Sequence, residues 1–375
     1  MQYRKTFLLL TAGFVVVSLL YIAPWSQAGV LAPWATTQLL LSQRLMPFCM
    51  DDGYSNPLSL DEPQQRTPSK TDIPRVWNPE NDLSKGYGRL PFPIEKTGNL
   101  SNAYTTVSRC RNKTETMFFI HSAAGHQVHR NVLRQFVGNV ALSSAHDWTM
   151  VFFVGISKNQ SVGRAVQEEA AKYGDVVVLP YEDTYQNLTY KFVYGMKWTL
   201  EFCPSVKYVV KIDDDMVANL VKVVRYLRKL QASPGFELHC FVWSRATVFR
   251  QASSPWYMPT DVYPRDKFPD YCSGRGVLFK SGVLRRLYSA SFCLPFHGID
   301  DVYVTGDAAL WAKVGHVAIN SEVSQDGENW EGVANGRVIF SHIHNHTLRA
   351  KAWDLIVRQL QREKKKTTRS WISLF

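Results

Sequence analysis

The run Lys207-Tyr-Val-Val-Lys-Ile-Asp-Asp-Asp215 constrains the fold more than any other stretch of the chain. An apolar segment ends abruptly in three carboxylates. A strand that reaches the carboxyl edge of an open α/β sheet has this form, and such sheets bind ligands at that edge. Packing gives no reason to crowd three negative charges, which repel and raise one another's pKa. A divalent cation resolves the crowding, because hard oxygen ligands suit Mg²⁺ or Mn²⁺. The usual companion of such a metal is a diphosphate. Plainer readings stand beside this one: a solvated loop, or a helix N-terminus, where carboxylates complement the dipole. Val217 to Leu230 does carry a helical apolar pattern. A calcium loop does not fit, since Met216 to Leu220 lacks the alternating oxygen ligands.

The rest of the chain supplies the setting for that strand. Met117–His121, Trp148–Val154 and Asp175–Leu179 read as further strands. Val128–Val140, Val162–Tyr173 and a face at Leu188, Phe192, Met196, Thr199 and Phe202 read as helices. Gly174 stands at the C-cap position of the second of these. Strands alternating with helices predict a mostly parallel sheet. One α/β domain is expected over 105–360, with a basic C-terminal tail at 361–375.

The N-terminus speaks to compartment. Arg4 and Lys5 precede an apolar run over 7–23, long enough for a short membrane span. The charge bias predicts a cytosolic tail at 1–6 and a signal-anchor at 7–23. A cleaved signal peptide is the alternative, since Ser26-Gln-Ala28 resembles a cleavage site. Residues 24–104 are rich in proline, Ser, Asn and Asp and read as an extended stem. Sequons at Asn99, Asn112, Asn159, Asn187 and Asn345 agree with translocation. Cys49, Cys110, Cys203, Cys240, Cys272 and Cys293 lack the spacing of a zinc site and can form disulfides in an oxidising lumen. The net charge of +11 suggests an acidic partner, but the basic residues are dispersed and no nucleic-acid motif appears. Nucleic acid is therefore not expected.

Residues 117–353 resemble the β1,3-galactosyltransferase and β1,3-N-acetylglucosaminyltransferase family, glycosyltransferase family 31. The resemblance is carried by blocks in order: Arg130-Asn-Val-Leu-Arg134, Tyr173-Gly-Asp175, Asp183-Thr-Tyr185, Asn187-Leu-Thr-Tyr-Lys191, Gly195-Met-Lys-Trp198 with Cys203-Pro204, and Lys211-Ile-Asp-Asp-Asp215. Tyr263-Pro264, Phe268-Pro-Asp-Tyr-Cys-Ser-Gly-Arg-Gly276 and Gly298-Ile-Asp-Asp-Val-Tyr-Val304 complete it. The chain departs from the family pattern at Phe136-Val137, Phe268, Val277 and Asp300, where the family has Thr-Trp, Tyr, Tyr and Glu.

The resemblance implies a GT-A type fold, a single Rossmann-like domain behind a transmembrane helix and stem, in a type II Golgi membrane protein. It implies inverting transfer of Gal, GlcNAc or GalNAc from a UDP-sugar to the 3-hydroxyl of an acceptor glycan on glycoprotein or glycolipid, with Mn²⁺ as cofactor. Homodimerisation is compatible with it. Asp213 and Asp215, two apart on extended backbone, could face one ion while Asp214 faces away. The metal set implied is Asp213, Asp215 and His342, with His344 and His346 as competing histidines. Asp301 is the expected base and Asp300 its support.

Ser122, Arg130, Arg134, Asp183, Lys191, Asp213 and Asp214 are placed along the nucleotide donor. Arg130 and Arg134 share a helix face, and a structural ion pair is an equal reading of them. Asp183 could instead cap the following helix. Trp256, Tyr257, Tyr263 and Tyr271 offer faces for sugar rings, or for the core. A non-catalytic luminal lectin and a secreted calcium-dependent binder are the rival functions.

Overall fold

The computed structural model describes Cys110, residues 113–233 and residues 235–372. The expected cytosolic tail, anchor and stem lie outside the described residues. Among the described residues no helix is long and apolar enough to cross a membrane.

The chain builds β1 (Thr116–His121), α1 (Gln127–Phe136), α2 (Val140–Ala145), β2 (Trp148–Ile156), α3 (Gln160–Tyr173), β3 (Val176–Glu182) and α4 (Leu188–Phe202). It continues through β4 (Tyr208–Asp213), β5 (Met216–Ala218), α5 (Leu220–Gln231), β6 (Glu237–Trp243), β7 (Tyr271–Lys280) and α6 (Ser281–Ala290). The helix α7 (Asp300–Val302) opens directly into a π-helical segment, Tyr303–Ala308, and α8 (Ala309–Trp311). Then come β8 (Gly315–Ala318), α9 (Trp330–Ala334), β9 (Phe340–His342) and α10 (His346–Ile372).

The main sheet runs in the order β3-β2-β1-β4-β7-β6-β8. Its first four strands are parallel, β7 is antiparallel to both β4 and β6, and β8 is parallel to β6. The expected mixed α/β architecture with a mostly parallel sheet is what is found.

Period-two alternation sends each strand's side chains to opposite faces. Phe118, Ile120, Phe152, Val154, Val210 and Ile212 pack on one side, with Leu133 of α1, Leu227 of α5 and Trp353 of α10. Met117, Phe119, Val151, Phe153 and Val209 pack on the other, with Trp198 of α4, Leu284 of α6 and Tyr303. Central parallel strands covered on both faces read as continuous apolar runs, which is why β1, β2 and β4 were legible. Disulfides Cys110–Cys203 and Cys240–Cys272 tie the segment ahead of β1 to the end of α4 and β6 to β7.

Some expectations need correction. The helix read over Val128–Val140 is two helices. Asn139 caps the second by accepting from the amides of Ala141 and Leu142, and a Cβ at Gly138 would lie 2.9 Å from Met150. The helix read from Val217 starts at Leu220, with Asn219 accepting from the Lys222 amide. Val217 instead lies in β5, which pairs with β9. Asp214 and Asp215 form the turn between β4 and β5, so extended backbone ends at Asp213. Cys272–Gly276 forms the first half of β7. The expected C-terminal tail is helical through Ile372, because α10 runs on without a break.

Candidate active site

The ends of β1, β4 and β7 and the start of α7 meet at one edge of the sheet. His121 and Asp213 are register partners at the carboxyl ends of parallel β1 and β4. Asp301 enters from α7, where its Oδ2 accepts from the Gly274 amide of β7 at 2.6 Å. A Cβ built on Gly274 would stand 3.0 Å from Asp301 Oδ2 and 3.4 Å from Asp213 Oδ2. The two acidic blocks, far apart in sequence, therefore flank one glycine. A methyl at that position would press on both carboxylates, and Asp301 would have to shift by a few tenths of an ångström.

Lys211 is the residue that sequence reasoning passed over. It lies within the apolar run of β4, is 1% exposed, and reaches Asp213 Oδ1 at 3.0 Å and Asp301 Oδ1 at 4.0 Å. Burial opposes its charge, but Asp213, Asp301 and Asp300 outweigh that and raise its pKa. A lysine inside an otherwise apolar strand was the available signal, since an unpaired buried ammonium is very costly.

His121 is buried and packs beside Asp300, Nδ1 to Oδ2 at 3.5 Å. Burial, then Lys211 and Lys191, hold its pKa well below the ordinary value, so it is neutral. Its Nε2 has no hydrogen-bond partner among the described residues.

Burial and the neighbouring Asp300 push Asp301 up to about 8, with Lys211 pulling the other way. A carboxyl group in that position takes up a proton readily, as a general base must. Burial also raises Asp213, against the pull of Lys211. Its side chain is 43% exposed, and water screens part of that shift.

The next two aspartates diverge. Asp215 Oδ2 meets His342 Nε2 at 2.8 Å, across the β5–β9 pair. Burial works to raise Asp215, but that contact lowers it and raises His342. Asp214 turns to the opposite side. It accepts from Ser122 Oγ at 2.6 Å and faces Nδ1 of both His126 and His129 at 3.0 Å. His344 rests against the His342 ring, and His346 against His129.

The other expected donor-side residues lie along the β1–α1 loop. Arg130 is fully buried. Its guanidinium is taken by Glu169 at 2.6 Å, Ser122 Oγ at 2.8 Å and the carbonyls of Ala123 and Ala124. Arg134 is paired with Glu169 at 2.6 Å and Asp175 at 2.7 Å, and lies over the Tyr173 ring. Both arginines thus make the structural ion pair that sequence left open. Arg130 braces the loop, and Arg134 ties α1 to α3 and the start of β3.

Asp183 accepts from the Ala124 and Gly155 amides at 3.2 Å and pairs with Lys191 at 2.9 Å. It does not cap a helix. Lys191 also donates to the Ser122 carbonyl at 2.7 Å. Asp183 and Lys191 therefore fix the backbone that borders the cleft. Thr189 is buried and donates to His297 O, a structural role.

Of the aromatic residues, Tyr263 belongs to the core with Phe268. Tyr271 is half-buried near Asp301, and burial, then Asp301, push its phenol up to about 12. Trp256 and Tyr257 are exposed. Trp256 lies beside Tyr185, whose phenol is raised by burial and then by Asp300, with Asp301 and Asp213 adding to it. Tyr185 was quoted only as part of a motif, and its place beside the carboxylates depends on the fold.

Residues 128–320 match the model of the family described as Galactosyltransferase. Beta-1,3-galactosyltransferase 2 of Homo sapiens is 32% identical over 200 residues, covering 52% of this chain and 47% of that protein. The Mus musculus protein of the same name is 33% identical over the same shares. Beta-1,3-galactosyltransferase 5 of Homo sapiens is 28% identical over 214 residues, 57% of this chain and 68% of that protein. The chain spans about half the length of the first two of these relatives.

Proposed function

This chain belongs to the galactosyltransferase family, and on that premise we propose that it is an inverting UDP-sugar-dependent β1,3-glycosyltransferase of the GT-A type. The observation that carries the reading is the meeting of Asp213 and Asp301 around Gly274, with Lys211 between them.

Asp301 is the base. It stands at the cleft with a raised proton affinity, oriented by the Gly274 amide, and takes the proton of the acceptor's attacking hydroxyl as the donor's C1–O bond opens. Asp300 lies beside it and raises its proton affinity, and His121 packs against Asp300. Asp213, at the end of β4, is placed for the ribose or for an ion. Asp215 and His342, already in contact, offer the oxygen and nitrogen donors that suit Mn²⁺, with Asp213 alongside. A cation held there would neutralise charge on the departing diphosphate. Asp183, Lys191 and Arg130 position the Ser122–Ala124 backbone along which the nucleotide would lie.

Tyr185 and Trp256 provide the acceptor side. Their exposed rings adjoin the base, where an apolar pyranose face can stack. The relatives' names favour galactose as the sugar transferred. The N-terminal anchor follows from the sequence pattern and placement in the Golgi lumen from the family resemblance, and two cross-linked cysteine pairs agree with an oxidising compartment.

Asp301→Asn tests the assignment. It should leave folding and UDP binding intact and lower turnover by about 10²–10⁴-fold. Near-normal turnover would remove Asp301 as base.

A further inference from the structure

Asp214 has no part in the reaction proposed above, yet it is the most heavily partnered of the three acidic residues. Its side chain is 5% exposed and faces two imidazoles that come from a different element. His126 is the N-cap residue of α1 and His129 lies in its first turn. Their rings are tilted together with centroids 4.6 Å apart. The nearest ligand atoms of His126, His129 and Asp214 all lie within 4.8 Å of one another.

We propose that His126, His129 and Asp214 form a second metal site, specific for a zinc-class transition ion and separate from the Asp215–His342 pair. Two imidazoles and one carboxylate are a donor set for Zn²⁺, Co²⁺ or Ni²⁺, whereas Mg²⁺ and Ca²⁺ prefer all-oxygen surroundings. Bond lengths near 2.0–2.2 Å place tetrahedral ligands roughly 3.4 Å apart. Asp214 Oδ1 lies 3.2 Å from His126 Nδ1 and 3.0 Å from His129 Nδ1, within a few tenths of that.

The outer shell is also in place. Ser122 Oγ donates to Asp214 Oδ2, and Arg130 Nη1 donates to Ser122 Oγ, which leaves Oδ1 turned toward both histidines. Such outer partners fix a ligand's orientation. His129 is held at its flank by the His346 ring at 4.9 Å. His126 is 48% exposed and gives an ion its way in, with water completing the shell. The bound ion would fasten the start of α1 to the acidic turn between β4 and β5.

The test uses the full chain without a histidine tag and metal ions alone, so it does not depend on the proposed reaction. Zn²⁺ should raise Tm by about 5 °C at a hundredfold excess over Kd. Co²⁺ should give the visible absorption of a low-coordinate N/O site. Both signals should persist in Asp215→Ala/His342→Ala and vanish in His126→Gln/His129→Gln, whose far-UV spectrum should match the parent. Loss of the signals in the first variant with retention in the second would overturn the proposal, as would no response to Zn²⁺ or Co²⁺ in the parent chain.

Discussion

Replacing Lys211 with methionine probes the junction on which the site depends. The lysine is 1% exposed and lies 3.0 Å from Asp213 and 4.0 Å from Asp301. Removing one partner of a fully buried ion pair costs about 3–5 kcal/mol, because the other charge is left uncompensated. The two carboxylate side chains here are 43% and 25% exposed, so water takes up part of the deficit. The expected loss falls to about 2–3 kcal/mol. Methionine fills nearly the same volume, so no large cavity adds to it.

The pH dependence distinguishes this cost from poor packing. Asp301 is raised to about 8, so between the ordinary carboxylate range and that value the folded chain holds a proton that the unfolded chain has released. Parent stability from this group is therefore present at low pH and falls as pH rises through that window. The slope is at most about 1.4 kcal/mol per pH unit. Without Lys211 the group rises further and the decline extends into more alkaline solution. Urea unfolding from about pH 6 to about pH 9 should show the variant weaker throughout, with the gap widening at the alkaline end. A gap independent of pH, or absent at the alkaline end, would refute the claim that Lys211 offsets these carboxylates.

The same raised carboxyl governs catalysis: without saturating metal, kcat/KM should climb with pH through about 8, and the limb should move to lower pH as Mn²⁺ is added. A profile already flat at acidic pH without metal would contradict the base assignment. Gly274→Ala places a methyl 3.0 Å from Asp301 and 3.4 Å from Asp213. Turnover should fall by at least about tenfold with little change in Tm, since the group displaced is a carboxylate rather than core. Arg130→Met strips Glu169 of one guanidinium and frees the carbonyls of Ala123 and Ala124. It should cost about 3–5 kcal/mol in denaturant unfolding. UDP affinity of the folded fraction, measured by calorimetry, should fall by less than about tenfold, through the loosened Ser122–Ala124 backbone alone. A large affinity loss at unchanged stability would restore Arg130 as a nucleotide contact.

The sequence alone determined the parallel half of the sheet. Strands β1, β2, β3 and β4 are covered by helices on both faces, and that burial forces largely apolar runs, broken in β4 by Lys211, that can be read directly. It also marked the 213–215 block, because three crowded carboxylates have no packing rationale, whereas the 300–301 pair was marked through the family resemblance. It did not show β6, β7 or β8. β7 carries Ser273, Gly274, Arg275 and Gly276 where it borders the cleft, β6 and β8 carry Glu237, His239 and His316 among their apolar residues, and their partners come from elsewhere in the chain.

Only the tertiary structure decided which way each charge faces. Asp213, Asp214 and Asp215 are consecutive, yet the turn after β4 sends one to Lys211, one to His126 and His129, and one to His342. Arg130 and Arg134 looked equally suited to a phosphate or to a carboxylate, and the choice fell to Glu169 and Asp175, brought from α3 and the start of β3. Local pattern reports burial, which a residue carries in its own chemistry. It cannot report the partner of a charge, which depends on what the fold brings within a few ångströms.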